Sequence, residues 1–241
     1  IQSVPSVDGA LISAIAGSSP GDVLLLDPGS HMGPIELDKP ITIDGQGQAT
    51  IKGNETGSVI SVTGTDITIR GLEIAGSGSS HETIDSGIQL HRTAANIVVE
   101  DNRILGNLYG VDIHGAKDAT VRGNTIIGRR DHRMNSRGNG IYVWNAPGIL
   151  VEKNDIQYGR DGIFVNTSNQ GVFRGNLMRD LRFAVHYMYA HDSEISGNVS
   201  VGNHLGFALM YSNRQYVTCR SRSGLDAELH QQIRFGRKSG A

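Results

Sequence analysis

The chain has 241 residues, a formal net charge of −2 and one cysteine. The small charge gives no electrostatic reason to expect nucleic acid or an anionic membrane as a partner, and a single cysteine excludes an internal disulfide. Its 32 glycines beside only 6 prolines indicate many tight turns, while the lack of a Gly-X-Y period excludes collagen.

The start of the chain and its hydropathy suggest where it works. It begins at Ile1 without a Met, which we expect of a mature exported protein whose signal has been removed, or of a trimmed chain. Its longest plain apolar run, Val23 to Leu26, is far short of the roughly 20 residues that a membrane-spanning helix needs. We therefore expect no membrane span.

The first predicted element is a short helix at residues 8–17. Apolar side chains recur there at a helical spacing, and Asp8 is placed as an N-cap. Short strand-like segments punctuated by Gly and Pro follow it. An amphipathic helix ahead of many short strands predicts a cap over one end of a stack of strands.

A repeated asparagine reveals the internal period. It recurs every 22 residues, with one interval of 30, at Asn102, Asn124, Asn154, Asn176 and Asn198. The surplus of eight residues fits a polar loop at 128–139, and a similar loop interrupts the chain at 75–86. We expect this asparagine column to line a turn, in left-handed backbone conformations and with amides that bond one another.

A second column fixes which side chains point inward. Five-residue strands begin at 87, 110, 140, 162, 184 and 206. Because side chains alternate along a strand, their second and fourth residues are predicted to face the core and their third and fifth the outside. The predicted inward pairs are Ile88/Leu90, Val111/Ile113, Ile141/Val143, Ile163/Val165, Val185/Tyr187 and Phe207/Leu209.

A period of 22 residues is too short to contain a crossover helix and is typical of a right-handed parallel β-helix. Leucine-rich repeats have a similar length, but the leucine columns that they require are missing. The sequence therefore predicts an all-β protein, with one parallel β-helix domain over residues 1–214 and about 22 residues per coil.

The pattern fails in the tail, residues 215–241. Arg220 stands where the next asparagine belongs. Leu225, Leu229 and Ile233 follow at helical spacing, which predicts either a helix that caps the last coil or a disordered end.

Outward-facing histidine and methionine side chains on two neighbouring coils suggest a metal site. His186 and Met188 lie two residues apart on one strand, and Met210 takes the position of Met188 one coil later. Thioether sulfur together with imidazole suits copper, in particular Cu(I). His191 and His204 flank the same coils, so these five side chains are the candidate ligands. The alternative is that the methionines only fill gaps in packing.

Other outward residues suggest weaker sites. His91 and His114 also stack in neighbouring coils, where a structural or solvated role is the simpler interpretation. His132 and Met134 lie in the basic loop 128–139, which is expected to be solvated or to contact a partner. Tyr142, Trp144 and Phe164 form an apolar patch, either a partner surface or one covered by a loop; those three are the candidate partner surface.

Residues 183–214, FAVHYMYAHDSEISGNVSVGNHLGFALMYSNR, resemble NosD, the periplasmic copper-binding family of nitrous oxide reductase maturation. That family lies within the pectin-lyase-like and carbohydrate-binding β-helices. The segment SPGDVLLLDPGSHMGPIELDKPITIDGQG is similar to the opening of many β-helix proteins and supports the fold more than the function.

The resemblance implies a periplasmic protein that binds copper, works with an ABC transporter and catalyses no reaction. It implies that the copper is supplied for assembly of the nitrous oxide reductase metal centre, with a copper chaperone and the reductase as further partners. Family members continue with more coils where residues 215–241 diverge.

The competing prediction is an enzyme on the same fold, a polysaccharide lyase or glycoside hydrolase. Such chemistry needs two positioned carboxylates, or a base accompanied by cations. The available side chains are Asp112, Asp131, Asp161, Asp180, Arg160 and Arg182. No strand carries a pair of carboxylates on its outward-facing side, so the binding function is favoured. A third possibility is a structural interaction module that uses the aromatic patch.

Overall fold

Alternating apolar residues build two long sheets in the computed structural model, which describes residues 1–131, 133–223 and 227–234. Sheet B has eight parallel strands among these residues. They are β4 (Ile35–Leu37), β6 (Ile60–Val62), β8 (Ser86–Leu90), β11 (Tyr109–His114), β14 (Ile141–Trp144), β17 (Asp161–Asn166), β20 (Phe183–Met188) and β22 (Leu205–Met210).

Sheet A contains the other sixteen described strands and bends around the opposite side of the coil. They are β1 (Gln2–Val4), β2 (Val23–Leu26), β3 (Gly29–Met32), β5 (Thr42–Lys52), β7 (Thr68–Ala75), β9 (Val98–Glu100), β10 (Arg103–Leu105), β12 (Thr120–Arg122), β13 (Thr125–Ile127), β15 (Leu150–Glu152), β16 (Asp155–Gln157), β18 (Val172–Arg174), β19 (Leu177–Arg179), β21 (Ser193–Val201), β23 (Gln215–Ser223) and β24 (Ala227–Arg234).

Each coil stacks on the next in parallel register, which confirms the predicted β-helix. Ile163 pairs with Val185, 22 residues later. Val111 pairs with Ile141, 30 residues later, so the insertion at 128–139 leaves the coil as a loop and does not shift the register. A short 3₁₀ turn, Met134–Ser136, lies in that loop.

The core lies between the two sheets, and the predicted inward residues occupy it. Ile88, Leu90 and Val111 are fully buried, as are their counterparts in the following coils through Tyr187. In the last coil Phe207 and Leu209 pack against this core and are partly buried. The alternation rule therefore assigned the inner face of sheet B correctly.

The repeated asparagines form a buried ladder along sheet A. The Asn154 side-chain oxygen accepts the backbone N–H of Asn124 at 3.0 Å and the Asn124 amide at 3.0 Å. The Asn154 amide in turn donates to the Asn176 oxygen at 3.0 Å and to the Val121 carbonyl at 2.9 Å. Since backbone groups inside a coil bend have no strand partner, the ladder satisfies donors and acceptors that would otherwise be buried alone.

The left-handed conformation expected at these asparagines belongs to the residue before each of them. Positive φ angles occur at Asp101, Gly123, Lys153, Gly175 and Gly197. The physical reason is that the turn must be completed before the asparagine, whose side chain then points inward to reach the backbone of neighbouring coils. This accounts for glycine as the most frequent residue at the preceding position.

Helix α1 spans Ala10–Gly17 and packs against β1, β2 and β3 through Leu11, Ala14 and Ile15. The residue at its N-cap is Gly9, with φ 76°, and no side chain caps it, so the expectation for Asp8 was wrong. The left-handed backbone at Gly9 makes the entry turn without a side-chain acceptor.

The tail continues the sheet, where a capping helix or a disordered end was expected. Strand β23 adds in parallel to β21, and β24 returns antiparallel to β23. The unpaired edge of β21 offers a row of backbone groups to the following segment, and this pairing outweighs the helical spacing of Leu229 and Ile233. Leu225 and His132 lie outside the described residues.

Among the described residues, no helix combines the length and the apolar character that crossing a bilayer requires.

Replacing Asn154 by Ala is expected to lower the free energy of unfolding by about 3 kcal/mol, because the Asn124 N–H and the Val121 carbonyl lose a buried partner. Asn135→Ala, on an exposed loop residue, is the matched control and should change it by less than about 0.5 kcal/mol. Equal destabilisation by both substitutions in urea denaturation would contradict the importance assigned to the ladder.

Candidate metal centre

The outer face of sheet B carries the predicted ligands on its last two coils. His186 and Met188 point outward from β20, on either side of the buried Tyr187. Met188 and Met210 are register partners, so their Cα atoms are separated by about 4.8 Å, the distance between neighbouring strands. Register thus makes the two methionines neighbours on adjacent strands, and the Cα atom of His186 lies about 7 Å from that of Met188 along β20.

A buried carboxylate fixes the orientation of His186. Asp161, at the start of β17, is fully buried, and its Oδ2 lies 3.2 Å from Nδ1 of His186. The Arg182 guanidinium donates two hydrogen bonds to the same carboxylate, at 2.8 and 2.6 Å. Phe164 and Phe183 pack on the imidazole, with ring centroids 4.9 and 4.8 Å away. The ring is therefore held by one charge-assisted contact and two aromatic contacts. We call Asp161 and His186 the Asp–His pair.

The Asp–His pair determines which nitrogen of His186 is a donor. A carboxylate paired with Arg182 can only accept, so Nδ1 carries the proton and, in the neutral ring, Nε2 carries a lone pair. Nε2 is shielded from solvent and has no hydrogen-bond partner. Metal-binding histidines usually donate their other ring N–H to a carboxylate in this way. The pair thus has the donor chemistry of a metal ligand.

His191 and His204 are placed differently. His191 follows the turn after β20, and its Nδ1 accepts the backbone N–H of Asn213 at 3.0 Å. In the neutral ring Nε2 then carries the proton, so a metal could bind this imidazole only after the bond to Asn213 is broken. His204 precedes β22, whereas Met210 ends it, so at the usual strand rise their Cα atoms lie about 20 Å apart. The structure brings His186, Met188 and Met210 to one end of two adjacent strands and leaves His204 at the other end.

Within the described residues, no group of three or more His, Cys, Asp or Glu side chains is arranged to hold a metal ion. At the last two coils the residues that accompany His186 on this face are the methionines Met188 and Met210. Thioethers are soft donors, which favour Cu(I) over Zn²⁺, Ca²⁺ or Mg²⁺.

The three aromatic residues predicted as a partner surface do not form one flat patch. Tyr142 and Phe164 stack on each other, with centroids 5.3 Å apart and an angle of 9° between the rings. Trp144 stacks on His114 at 4.4 Å and remains 37% exposed. The first two rings extend the packing around His186, whereas Trp144 is open to contact.

Asp112 is fully buried, although it lies at an outward position. Its Oδ2 accepts the Gln89 amide at 3.1 Å, and Oδ1 has no partner. The loop at 75–86 contacts residues near Asp112, because the Thr83 carbonyl accepts from Gln89 and His81 bonds the Tyr109 hydroxyl. Burial raises the pKa of Asp112 to about 7 against a weaker opposing effect of the Gln89 hydrogen bond.

The two polar loops also contact each other. Arg129 donates to the Ser79 hydroxyl at 2.6 Å and to the Gly78 carbonyl at 2.8 Å. His81 reaches the Ser136 carbonyl at 3.1 Å. Loops 75–86 and 128–139 therefore close over the same coils, a contact that their separate positions in the sequence did not reveal.

Sequence reasoning considered Asp161 only as a possible catalytic acid and missed its contact with His186. Asp161 lies one residue before the repeated five-residue strand and is the register partner of Phe183. If each repeated strand had been started one residue earlier, Asp161 would have been included and placed beside the outward face. The contact itself depends on the side-chain conformations that Arg182 and the two phenylalanines impose.

Comparison with known proteins matches the same coils. Residues 124–221 match the family described as periplasmic copper-binding protein NosD. The chain resembles the NosD family. Over 137 residues it is 32% identical to the probable ABC transporter binding protein NosD of Stutzerimonas stutzeri, which covers 57% of this chain. The similarly named protein of Pseudomonas aeruginosa is 31% identical over the same length, again 57% of this chain.

These NosD proteins are much longer than this chain. The aligned part is 31% of the Stutzerimonas protein and 32% of the Pseudomonas protein, so the chain spans about a third of the curated relatives that it matches. The Asp–His pair and both methionines lie inside the residues that the NosD family matches.

Solved structures support the fold alone. A pectate lyase superposes with a TM-score of 0.63 at 17% identity and covers 89% of this chain and 70% of its own. An alginate lyase from Paenibacillus gives 0.58 at 16% identity, over 92% of this chain and 98% of its own. Both establish the parallel β-helix, and identities this low say nothing about activity.

The metal-free protein is expected to lose stability as pH rises through the range in which Asp112 titrates. Its folded-state pKa of about 7 exceeds the ordinary value of 3.8, so the folded chain keeps a proton that the unfolded chain releases. The free energy of unfolding should therefore fall by up to about 4 kcal/mol between those pH values because of this group.

Asp112→Asn should flatten that part of the stability profile, measured by urea denaturation at a series of pH values. The matched control is Asp180→Asn at an exposed turn, which should keep the slope of the parent. An unchanged slope in Asp112→Asn would show that this carboxyl does not titrate as described.

Proposed function

We propose that this chain is a periplasmic copper-binding and docking protein, which works with an ABC transporter to supply copper for assembly of the nitrous oxide reductase metal centre. The observation that carries the proposal is the Asp–His pair, whose free Nε2 lies on the same strand as Met188 and one coil below Met210. The description of the matched family as periplasmic and copper-binding supports it.

Copper is the cargo in this proposal, held as Cu(I) by Nε2 of His186 and the sulfurs of Met188 and Met210. Two thioethers and one imidazole select Cu(I) over harder ions. Met188 is half-buried and Met210 is 40% exposed, so the sulfurs lie where a second protein can reach them. His191 is a fourth candidate ligand, since it follows Met188 after one turn. His204 is too distant to bind the same ion.

Docking is proposed for the exposed aromatic side chains beside this site. Trp144 is 37% exposed, and Tyr142 and Phe164 continue the face towards His186. Aromatic rings of this kind are frequent at the centres of protein interfaces. The transporter is the first proposed partner, because the NosD relatives are named as probable ABC transporter binding proteins. The copper chaperone and the reductase are the further proposed partners.

A single observation favours the rival function, a polysaccharide lyase or hydrolase. Asp112 has a pKa near 7 and an oxygen without a partner, properties that suit a general acid or base. Asp161, another fully buried carboxylate, is held by Arg182 and His186 and lies two coils away. Incubation with pectate and alginate decides the matter: new absorbance from unsaturated products would support the lyase, whereas its absence together with tight copper binding supports the binding protein.

Anaerobic competition with a Cu(I) chelator should show one tight site. His186→Asn, Met188→Leu and Met210→Leu should each weaken binding about tenfold or more, because each removes one ligand and preserves the approximate volume. Met32→Leu is the matched control, since Met32 is an exposed methionine on β3 at the other end of the stack, and it should bind as the parent does. Parent-like affinity in all three site variants would overturn the proposed site.

A further inference from the structure

The fifth positions of the sheet B strands form one continuous column of side chains along the edge of the sheet. Register pairs join His114 to Trp144, Trp144 to Asn166, Asn166 to Met188 and Met188 to Met210. One coil earlier, the pairing of Ile113 with Leu90 places His91 next to His114. We call these six residues the edge column. The methionine end of the column belongs to the proposed Cu(I) site, and the histidine end is unassigned.

The two histidines are available as ligands. Both residues are half-buried. Within the described ranges, neither imidazole has a hydrogen-bond partner. His114 is held in place by Trp144, whose ring stacks on it at 4.4 Å with an angle of 28°. Burial and the neighbouring His91 both act against a positive charge on His114.

Their spacing suits one metal ion. Neighbouring strands are about 4.8 Å apart. Two imidazole nitrogens bound to the same ion, each about 2.0 Å from it, are separated by about 3 to 4 Å. A small inclination of the two rings therefore brings both nitrogens to a common ion without moving the backbone.

We propose that His91 and His114 form a second metal site, which binds divalent copper with water completing its coordination. Two imidazoles without a sulfur ligand suit Cu²⁺, and Cu²⁺ binds nitrogen sites more tightly than the other first-row divalent ions, Zn²⁺ included. Three coil steps separate His114 from Met188, about 14 Å along the column. The ion at the histidine end is thus distinct from the Cu(I) ion, and each site can be tested independently of the other.

The chain contains a built-in reporter for this site. Trp144 is its only tryptophan, and it is stacked on one of the two ligands. Paramagnetic Cu²⁺ quenches the fluorescence of an indole that lies close to it. Titration of the intact chain with cupric ion alone should therefore quench Trp144 with one-to-one stoichiometry.

His91→Asn should raise the cupric ion concentration needed for half-maximal quenching by about tenfold or more. The substitution leaves the stacked pair of His114 and Trp144 in place. His114→Asn should do the same. His186→Asn is the matched control, because His186 lies two coils from Trp144 and has its own unpartnered nitrogen; it should quench as the parent does. Met188→Leu and Met210→Leu should also behave as the parent, even though they lose Cu(I) binding.

Electron paramagnetic resonance of the one-to-one complex provides a second readout. Coupling to two imidazole nitrogens is expected in the parent, and to one in either histidine variant. Three results would each overturn the second site. They are equal quenching in His91→Asn and the parent, loss of quenching in His186→Asn instead, and quenching that never saturates as cupric ion is added. Circular dichroism of every variant verifies that the β-helix is intact, and a variant that unfolds is replaced by the corresponding His→Gln substitution.

Discussion

The buried asparagine ladder is the constraint on which the rest of this structure depends. Asn102, Asn124, Asn154, Asn176 and Asn198 each bind the backbone and the amide of the coil beside them. A ladder of this kind tolerates no slip, because a shift of one residue would leave its donors and acceptors buried without partners. Inserted residues such as 128–139 therefore form loops outside the coil, and all coils keep the same register.

A fixed register converts sequence positions into columns in space. It aligns Met188 with Met210 and places His186 above Phe164, where neither local sequence nor hydrophobicity would bring them together. The same register stacks Tyr142 on Phe164 and His114 on Trp144. A face that carries the candidate metal ligands at one edge and aromatic rings along its middle thus follows directly from the register of the coils.

The Asp–His pair shows how burial prepares a ligand. Arg182 keeps the Asp161 carboxylate in place, and Asp161 in turn holds Nδ1 of His186. The remaining nitrogen is shielded from water and lacks a partner, which costs roughly 1–3 kcal/mol in the metal-free protein. Binding of a metal to this nitrogen would recover that energy. The cost of the unpartnered nitrogen in the metal-free protein would therefore favour the binding of copper.

Periodicity made most of the fold predictable. Alternation assigned the inward residues of sheet B, and the asparagine spacing gave the coil length. The left-handed residue was misplaced by one position, since spacing does not show which residue completes a turn. The tail was expected to be a helix or a disordered end. Its strands were missed because the free edge of β21, with which β23 pairs, is a tertiary feature that the local sequence does not show. The ion pair of Asp161 and the burial of Asp112 were missed for a similar reason: both depend on side chains from other coils and loops.

The proposed copper site, built from soft ligands on two adjacent coils, is tested most directly by X-ray absorption at the copper edge of the Cu(I)-loaded protein. The expected first shell contains two sulfur neighbours and one nitrogen neighbour, with one sulfur lost in Met188→Leu and another in Met210→Leu. A shell of nitrogen and oxygen neighbours alone, unchanged by either substitution, would contradict the account.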